Sequence, residues 1–325
     1  MKYMIKIEIG INEAGQRLDR FLRKYLRKAP LSLVYKAIRK DVKVNGKRAK
    51  NETMLQEGDV VNLYMSESDI EKFRENPREH KVKKQFTVVY EDENIIIVNK
   101  PFGLLTHGDR TEKKNHLANQ VVDYLMANGD YNPRVEKTFS PAPANRLDRN
   151  TTGLVIFGKN AESLRELNRM MRHGHTIEKY YMTITGGEMR KSLHLEDRMI
   201  KNHETNTVKV LKGSGDKGLR METLARPLKI GKGYTLVEVR IITGRTHQIR
   251  AHLAKAGYPV IGDRKYGNPA INRSMQKRFG LNTQLLHAWR LKFADCQGIL
   301  EYMNGKEVQS ELPSEFETIV NSIID

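Results

Sequence analysis

The sequence predicts an α+β protein of two unequal parts, a small front part of mixed helices and strands and a larger part dominated by strands. Three observations predict it. The chain has 325 residues, which suits two domains or one large domain with an appendage. The segment Gln16 to Lys50 holds 13 Lys and Arg against two acids, Asp19 and Asp41, and its apolar residues repeat at helix spacing. Beyond Phe86, short strand-like apolar runs predominate and helical patterns fall irregularly among them. A mixed, mainly antiparallel sheet with flanking helices is therefore expected, instead of a regular strand–helix alternation. No internal repeat or low-complexity tract is present.

The front part begins with RLDRFLRKYL, where Leu18, Phe21, Leu22, Tyr25 and Leu26 share a helical face. A second helix is expected in SLVYKAIRKD, from Leu33, Val34, Ala37 and Ile38, with Pro30 before it and Ser32 as its N-cap. Asn45-Gly46 in DVKVNGKRAK reads as a tight hairpin turn, and Val60 to Tyr64 as a strand. A one-signed charge excess followed by a hairpin favours nucleic-acid binding over a merely solvated helix face. The order RLDRFL, SLVYKAIRK, VKVNGKRAK, LQEGDVV resembles the S4-like RNA-binding domain. That resemblance covers about Gln16 to Tyr64 and implies a small α/β S4-like domain over residues 1–65. It places Arg17, Arg20, Lys36, Arg39, Lys40, Lys47 and Arg48 against RNA. Residues 66–85, polar and interrupted by Pro77, read as a linker with a short helix in its first half.

The large part, residues 86–325, opens with FTVVYEDENIIIVNKP, a strand, an acidic turn and a strand ended at Lys100-Pro101. Helices are expected in HLANQVVDYLMAN, in AESLRELNRMMRH and in THQIRAHLAKAG, the last ended by Gly257. Strands are expected in GLVIFGK, KYYMTIT, YTLVEVRIIT and LLHAWRLKF.

Composition excludes several classes. Lys and Arg number 57 against 39 acids, a net charge of +18, which points to a polyanionic partner. No run of 18 apolar residues exists, so no membrane span is expected. The start MKYMIKIEIG lacks a long apolar signal region, so a cytoplasmic location is expected. The single Cys296 excludes an intramolecular disulfide and a multi-cysteine zinc site.

Three pieces can carry chemistry. In ANRLDRNTTGLVIFGKN, Asp148 stands between Arg146 and Arg149, ahead of Thr151, Thr152 and Gly153. Adjacent cations favour a charged carboxylate, and a charged aspartate can be a nucleophile or a general base. The same pattern suits an aspartate pairing with a local arginine in a turn. In HTIEKYYMTITGG, Lys179, Tyr180 and Tyr181 open a strand, so one tyrosine can face a cleft while the other packs. Two ordinary strand tyrosines fit as well. In EVRIITGRTHQIRAHLAKAGYPVIGDRKYG, Gly244 breaks a strand and Thr246 is expected to cap a helix. Arg245, His247, Arg250 and His252 then cluster, with Arg250 on the face of Thr246. A metal on His247 and His252 is not expected, because their spacing of five suits no single face. His173 and His175 read as a loop around Gly174.

Together these pieces resemble the RluA family of RNA pseudouridine synthases. The family's HRLDxxTSG, KxY and GRTHQIRxHL segments stand here, in order, as NRLDRNTTG, KYY and GRTHQIRAHL. Its EDxxxxxxNKPxG and PxxGDxxYG segments stand as EDENIIIVNKPFG and PVIGDRKYG. The resemblance covers Phe86 to Phe293. Two departures exist: Asn145 replaces the usual His, and Thr152 replaces the Ser. Thr152 keeps the hydroxyl. Asn145 changes the hydrogen bonding open to the loop and puts rate in question more than activity.

The resemblance implies an enzyme that turns uridine in RNA into its C-glycoside isomer, with no cofactor and no metal. It implies Asp148 as the essential carboxylate, either attacking the sugar C1′ or assisting removal of the 2′ proton. Arg250 corresponds to the arginine that pairs with it, and Tyr181 to the active-site tyrosine that packs on the base and takes part in proton transfer at C5. Arg146 corresponds to an arginine that fills the gap left by a flipped uridine. Arg245 and His247 join it as substrate-binding residues. With an S4-like domain in front, the substrate implied is 23S ribosomal RNA, or a ribosome precursor, bound by a monomer. The readings in competition are a non-catalytic RNA-binding or ribosome-assembly factor and a tRNA-directed synthase of the same family.

Overall fold

The computed structural model describes residues 3–74, 81–172, 176–202, 204–205, 207–211 and 218–324. The expected loop at His173 and His175, and Pro77 of the linker, lie outside the described residues.

The front part contains β1 (Tyr3–Glu8), β2 (Gln16–Arg17), α1 (Leu18–Tyr25), α2 (Leu31–Lys40), β3 (Val42–Val44), β4 (Lys47–Arg48), β5 (Met54–Leu55), β6 (Val60–Met65) and α3 (Glu67–Phe73). Strands β1, β6, β3 and β4 form one antiparallel sheet in that order. Asn45 and Gly46 both take positive φ, 51° and 76°, as a two-residue hairpin turn between β3 and β4 requires. Leu18, Phe21, Leu22, Leu26, Val34 and Ile38 close this sheet into a core of its own. The N-cap of α2 is Pro30, not Ser32, which lies within the first helical turn. Proline suits a helix entrance because the first N–H groups have no partner there. Helix α3, at the start of the expected linker, is capped by Ser66 and buries Ile70 in the front core. The linker's last residues bond instead to the large part, Val82 N–H to Asp123 and Gln85 N–H to Gln120.

The large part runs β7 (Thr87–Glu91), β8 (Ile95–Lys100), α4 (Leu117–Ala127), β9 (Ala142–Pro143), β10 (Thr152–Gly158), α5 (Ala161–Arg172), β11 (Ile177–Gly186), β12 (Leu193–Asn202), β13 (Thr207–Leu211), β14 (Leu219–Gly231), β15 (Tyr234–Ile241), α6 (Gln248–Lys255), α7 (Pro269–Phe279), β16 (Leu286–Phe293), β17 (Glu307–Gln309) and α8 (Ser314–Ile323). Its sheet follows the order β13-β12-β14-β15-β11-β16-β10-β8-β7, with β17 beside β16 and β9 beside β10. The pairs are antiparallel except β10 with β16, which meet in parallel at Thr152–His287 and Gly153–Ala288. Both faces of the central strands are buried, so β8 and β10 read as continuous apolar runs. Ile96, Val98, Val155 and Phe157 face α4 and α6, while Ile95, Ile97, Leu154 and Ile156 face α5. Met182 and Ile184 of β11 pack with α7 and α8 on the second face.

The sequence patterns do not mark β1, β2, β5, β9, β12 to β14, β17, α7 or α8. Strand β12 carries five charged or imidazole side chains in LHLEDRMIKN, so its apolar alternation is weak. Among the described residues no helix is long and apolar enough to cross a membrane.

The two parts touch through residues 12–16. The Asn12 side-chain amide donates to Glu136 at 2.7 Å and its oxygen accepts from Ala161 N–H at 2.9 Å, at the start of α5. The buried Glu13 carboxylate accepts from the Lys137 and Thr138 N–H groups at 3.1 and 3.2 Å.

Candidate active site

The RLDRNTTG segment forms the loop that enters β10, and nearly every residue of it is tied down. Thr106 Oγ1 both donates to Leu147 C=O and accepts from Leu147 N–H, each at 3.1 Å. Asp148 C=O accepts from Thr151 N–H at 3.1 Å. Lys100 Nζ donates to Arg149 C=O at 2.9 Å. Asn150 donates to Thr283 Oγ1 at 2.9 Å, and Thr152 Oγ1 meets His287 Nδ1 at 2.7 Å. Gly153 follows at φ 110°, where a Cβ would stand 2.1 Å from Ala288 C=O. Only glycine lets β10 approach β16 this closely. Such a frame fixes a carboxylate before substrate arrives.

Asp148 is the open end of a buried ion cluster. Its Oδ2 accepts from Arg250 Nη1 at 2.9 Å, and Arg250 also donates to Asp263 from Nε at 2.6 Å and from Nη2 at 2.9 Å. Side-chain exposure is 29% for Asp148, 6% for Arg250 and 0% for Asp263, so solvent reaches this cluster at Asp148. Burial opposes charge on Arg250, but its bonds to Asp263 and the charge of Asp148 outweigh that and raise its pKa above the ordinary value. Burial likewise opposes charge on Asp263, yet Arg250 and two backbone N–H groups hold its pKa below the usual carboxylate range. His247 Nε2 lies 3.7 Å from Asp148 Oδ2. Burial lowers the His247 pKa, against the pull of Asp148.

Tyr181 is buried on β11, among Leu147, Ile249 and Ala288. Burial first, and the charge of Asp148 second, raise its phenol pKa well above the ordinary value, so the phenol stays neutral. Tyr180, one residue earlier on the opposite face, donates to Glu178 and lies under Arg290 at 4.0 Å. Strand alternation sends the two side chains to opposite faces of the sheet.

Several expectations need correction. Thr246 does not cap α6; the N-cap is His247, in the left-handed region at φ 51° with no side-chain capping bond. The entrance to α6 is organised by Gln248, whose amide accepts from Arg245 N–H and Thr243 Oγ1 and donates to Glu222 C=O. Arg250 therefore reaches Asp148 from the first turn of α6 without sharing a helical face with Thr246. The arginines flanking Asp148 in sequence do not pair with it: Arg149 points to Asp109 at 3.6 Å and Arg146 is exposed beside His107. Arg245 is exposed and donates to Arg220 C=O at 3.1 Å, on the rim of β14. Asn145, in place of the expected His, bonds the β10 backbone at Leu154 C=O and Ile156 N–H, so it serves the strand edge.

Two charged residues in the frame were not singled out from sequence. Lys100 is fully buried and donates to Pro101, Leu104 and Arg149 C=O groups at 3.1, 2.7 and 2.9 Å. Burial pushes its pKa down to about 7 while Asp148 pulls it up. Asp263 supplies the buried counter-charge. Both stood inside quoted motifs, NKP and GDxxYG, but only a fold could say what they touch.

In the front part, Lys36, Arg39, Lys40 and Arg48 line one groove. Lys47 and Arg20 are exposed, whereas Arg17 is held by Asp19 through two bonds at 3.0 and 2.8 Å. His247 and His252 do not converge, since His252 Nδ1 meets Thr223 Oγ1. Among the described residues, one trio, His194, Glu196 and Glu222, has ligand atoms within 4.8 Å of one another. Arg220 already pairs with both of its glutamates.

Comparison with known proteins identifies the family of the chain. The profile of an RNA pseudouridylate synthase family matches residues 94–255. The chain is 32% identical to ribosomal large subunit pseudouridine synthase C of Vibrio vulnificus over 291 residues, 88% of this chain and 87% of that one. It is 33% identical to the Escherichia coli K12 protein of the same name over 298 residues, 88% of each. Among solved structures, human RNA pseudouridylate synthase domain containing 4 has the same fold, with a TM-score of 0.56 at 21% identity, covering 72% of this chain and 91% of that one. Sharing about a third of its residues with these synthases over 88% of its length, the chain belongs to the RNA pseudouridylate synthase family.

Proposed function

We propose that this enzyme isomerises uridines of large-subunit (23S) ribosomal RNA, with Asp148 as the reacting carboxylate and neither cofactor nor metal. The observation that carries the reading is the one-sided anchoring of Asp148. Arg250 and His247 both approach Oδ2, and Oδ1 makes no bond among the described residues. An anchored carboxylate with one free oxygen can attack C1′ or take the 2′ proton; both routes use the same atom. The N1–C1′ bond breaks in that step and the uracil turns; C5 then bonds to C1′ as the carboxylate leaves C1′ or returns the proton to C2′. Tyr181, kept neutral by burial, packs on the base and can only relay the C5 proton, giving up its own as it takes that one, while N1 regains a proton from solvent. Arg146, exposed beside the loop, is suited to filling the space of the extruded uridine.

The front part is read as an S4-like domain. Its groove of Lys36, Arg39, Lys40 and Arg48 offers four cations to RNA phosphates. Shape and backbone dominate recognition of structured RNA, so such a groove orients the substrate without reading its sequence. The relatives' names favour ribosomal RNA over tRNA, and with it a cytoplasmic place of work.

Pseudouridine mapping in a strain lacking the gene tests the reading. One or more large-subunit sites should be lost, and purified protein should restore them on that RNA in vitro. An unchanged large-subunit map together with a changed tRNA map would replace it.

A further inference from the structure

A chain of polar contacts runs from the outermost strand of the large sheet to Asp148. Val208 N–H, on β13, donates to Tyr266 Oη at 2.7 Å. Tyr266 Oη meets His247 Nδ1 at 3.0 Å. His247 Nε2 lies 3.7 Å from Asp148 Oδ2. The Tyr266 ring packs against the His247 ring, with centroids 5.6 Å apart, and lies 5.3 Å from the Arg250 guanidinium carbon. No role for Tyr266 follows from the family motif in which it stands.

The proton positions follow from donor and acceptor inventory. Val208 N–H can only donate, so it occupies a lone pair of the Tyr266 oxygen. Among the described residues, the remaining partner of the phenol is His247 Nδ1. If Tyr266 donates its own proton there, Nδ1 is the acceptor and the imidazole carries its hydrogen on Nε2. The opposite tautomer would turn an Nε2 lone pair toward the Asp148 carboxylate, which is repulsive. Both considerations select the same tautomer.

We propose that Tyr266 is a positioning residue that fixes His247 as the Nε2–H tautomer, turning an N–H toward Asp148 and the space before it. The left-handed backbone at His247 supports this, since φ 51° for a non-glycine residue is retained where the surroundings demand it. At 3.7 Å the N–H is too far for a full bond to the resting carboxylate. It is placed to engage the carboxylate, or a sugar oxygen, once substrate enters. The proposal rests on Asp148 being the reacting group.

Tyr266→Phe keeps the ring packing and removes the hydroxyl. In the full-length enzyme it should lower kcat about ten-fold or more, with KM for RNA nearly unchanged, as expected when a donor acts mainly in the transition state. NMR of 15N-histidine-labelled protein should show His247 as the Nε2–H form in wild type and shifted toward the Nδ1–H form in Tyr266→Phe. A glutamine amide can place an N–H where Nε2 stands, without help from Tyr266. Adding Tyr266→Phe to His247→Gln should therefore cost no further activity. An unchanged tautomer, an unchanged kcat, or fully additive losses would each overturn the proposal. The tautomer is read without turnover, so it separates failure of this proposal from failure of the Asp148 assignment.

Discussion

Arg250 and Asp148 stand 102 positions apart in the chain and 2.9 Å apart in space. The pair is asymmetric. Arg250 gives two bonds to the fully buried Asp263 and one to the half-open Asp148, so it belongs first to the frame and second to the carboxylate proposed to react.

Arg250→Ala should therefore both inactivate and destabilise. Removing the guanidinium leaves Asp263 buried without a counter-charge, at about 3–5 kcal/mol. Arg250→Lys should recover part of the stability and little activity, because a point charge cannot serve both carboxylates as a planar fork does. Denaturant unfolding and tritium release from 5-tritiated uridine RNA measure the two effects. Arg250→Ala as stable as wild type would contradict the cluster.

Asp148→Asn should behave oppositely. Arg250 keeps Asp263, and Asp148 is partly exposed, so stability should change by less than about 1 kcal/mol. Turnover should fall by roughly 10⁴-fold or more, the scale seen when a reacting group is removed. RNA binding should survive. Appreciable tritium release by this variant would remove Asp148 from its role.

His287 predicts an acid limb in stability. Burial pushes its pKa from 6.5 to about 4, and its Nε2 has no partner among the described residues. The unfolded chain then binds the proton first, so stability is complete above pH 6.5 and is lost as pH falls toward 4, by up to about 3 kcal/mol. His287→Asn can keep a contact to Thr152 and cannot titrate. It should lower stability at pH 7 but flatten the fall between pH 7 and 5. Thermal unfolding at several pH values checks the slope; parallel curves for the two proteins would refute the argument.

Neutralising Lys36, Arg39, Lys40 and Arg48 together should weaken RNA binding and reduce its salt dependence. Each RNA phosphate that the protein no longer neutralises should lower the slope of log K against log salt by roughly 0.7–0.9. Filter binding at several salt concentrations measures this. Weaker binding with an unchanged slope would mean that the groove does not meet phosphate.

What was legible from sequence follows physical lines. Central strands buried on both faces announce themselves as apolar runs, IIIV in β8 and LVIF in β10. Helices α1, α2, α4 and α5 show their apolar stripes. Strand β12, half exposed and heavily charged, shows no such pattern. Motif resemblance singled out Asp148, Tyr181 and Arg250, and the fold brings Arg250 to Asp148. It could not show that Asp148 ignores its neighbours Arg146 and Arg149, because their directions depend on the loop's ties to Thr106, Lys100 and His287. Nor could it reveal Lys100 or Asp263, whose significance lies in partners far along the chain.

The place of β16 has a consequence for how the molecule comes into being. This strand, residues 286–293, is the hydrogen-bonded link between β11 and β10 in the sheet path, yet it is made after every other strand of that path. During synthesis the sheet therefore waits as two halves with bare inner edges, and unpaired edges invite the wrong neighbour. Closure depends on pairings of large sequence separation, which slow folding. The loop bearing Asp148 gains its last anchors, Thr283 and His287, in that same late step. A nascent chain that has not yet reached β16 thus carries Asp148, the carboxylate proposed to react, in an unfinished setting.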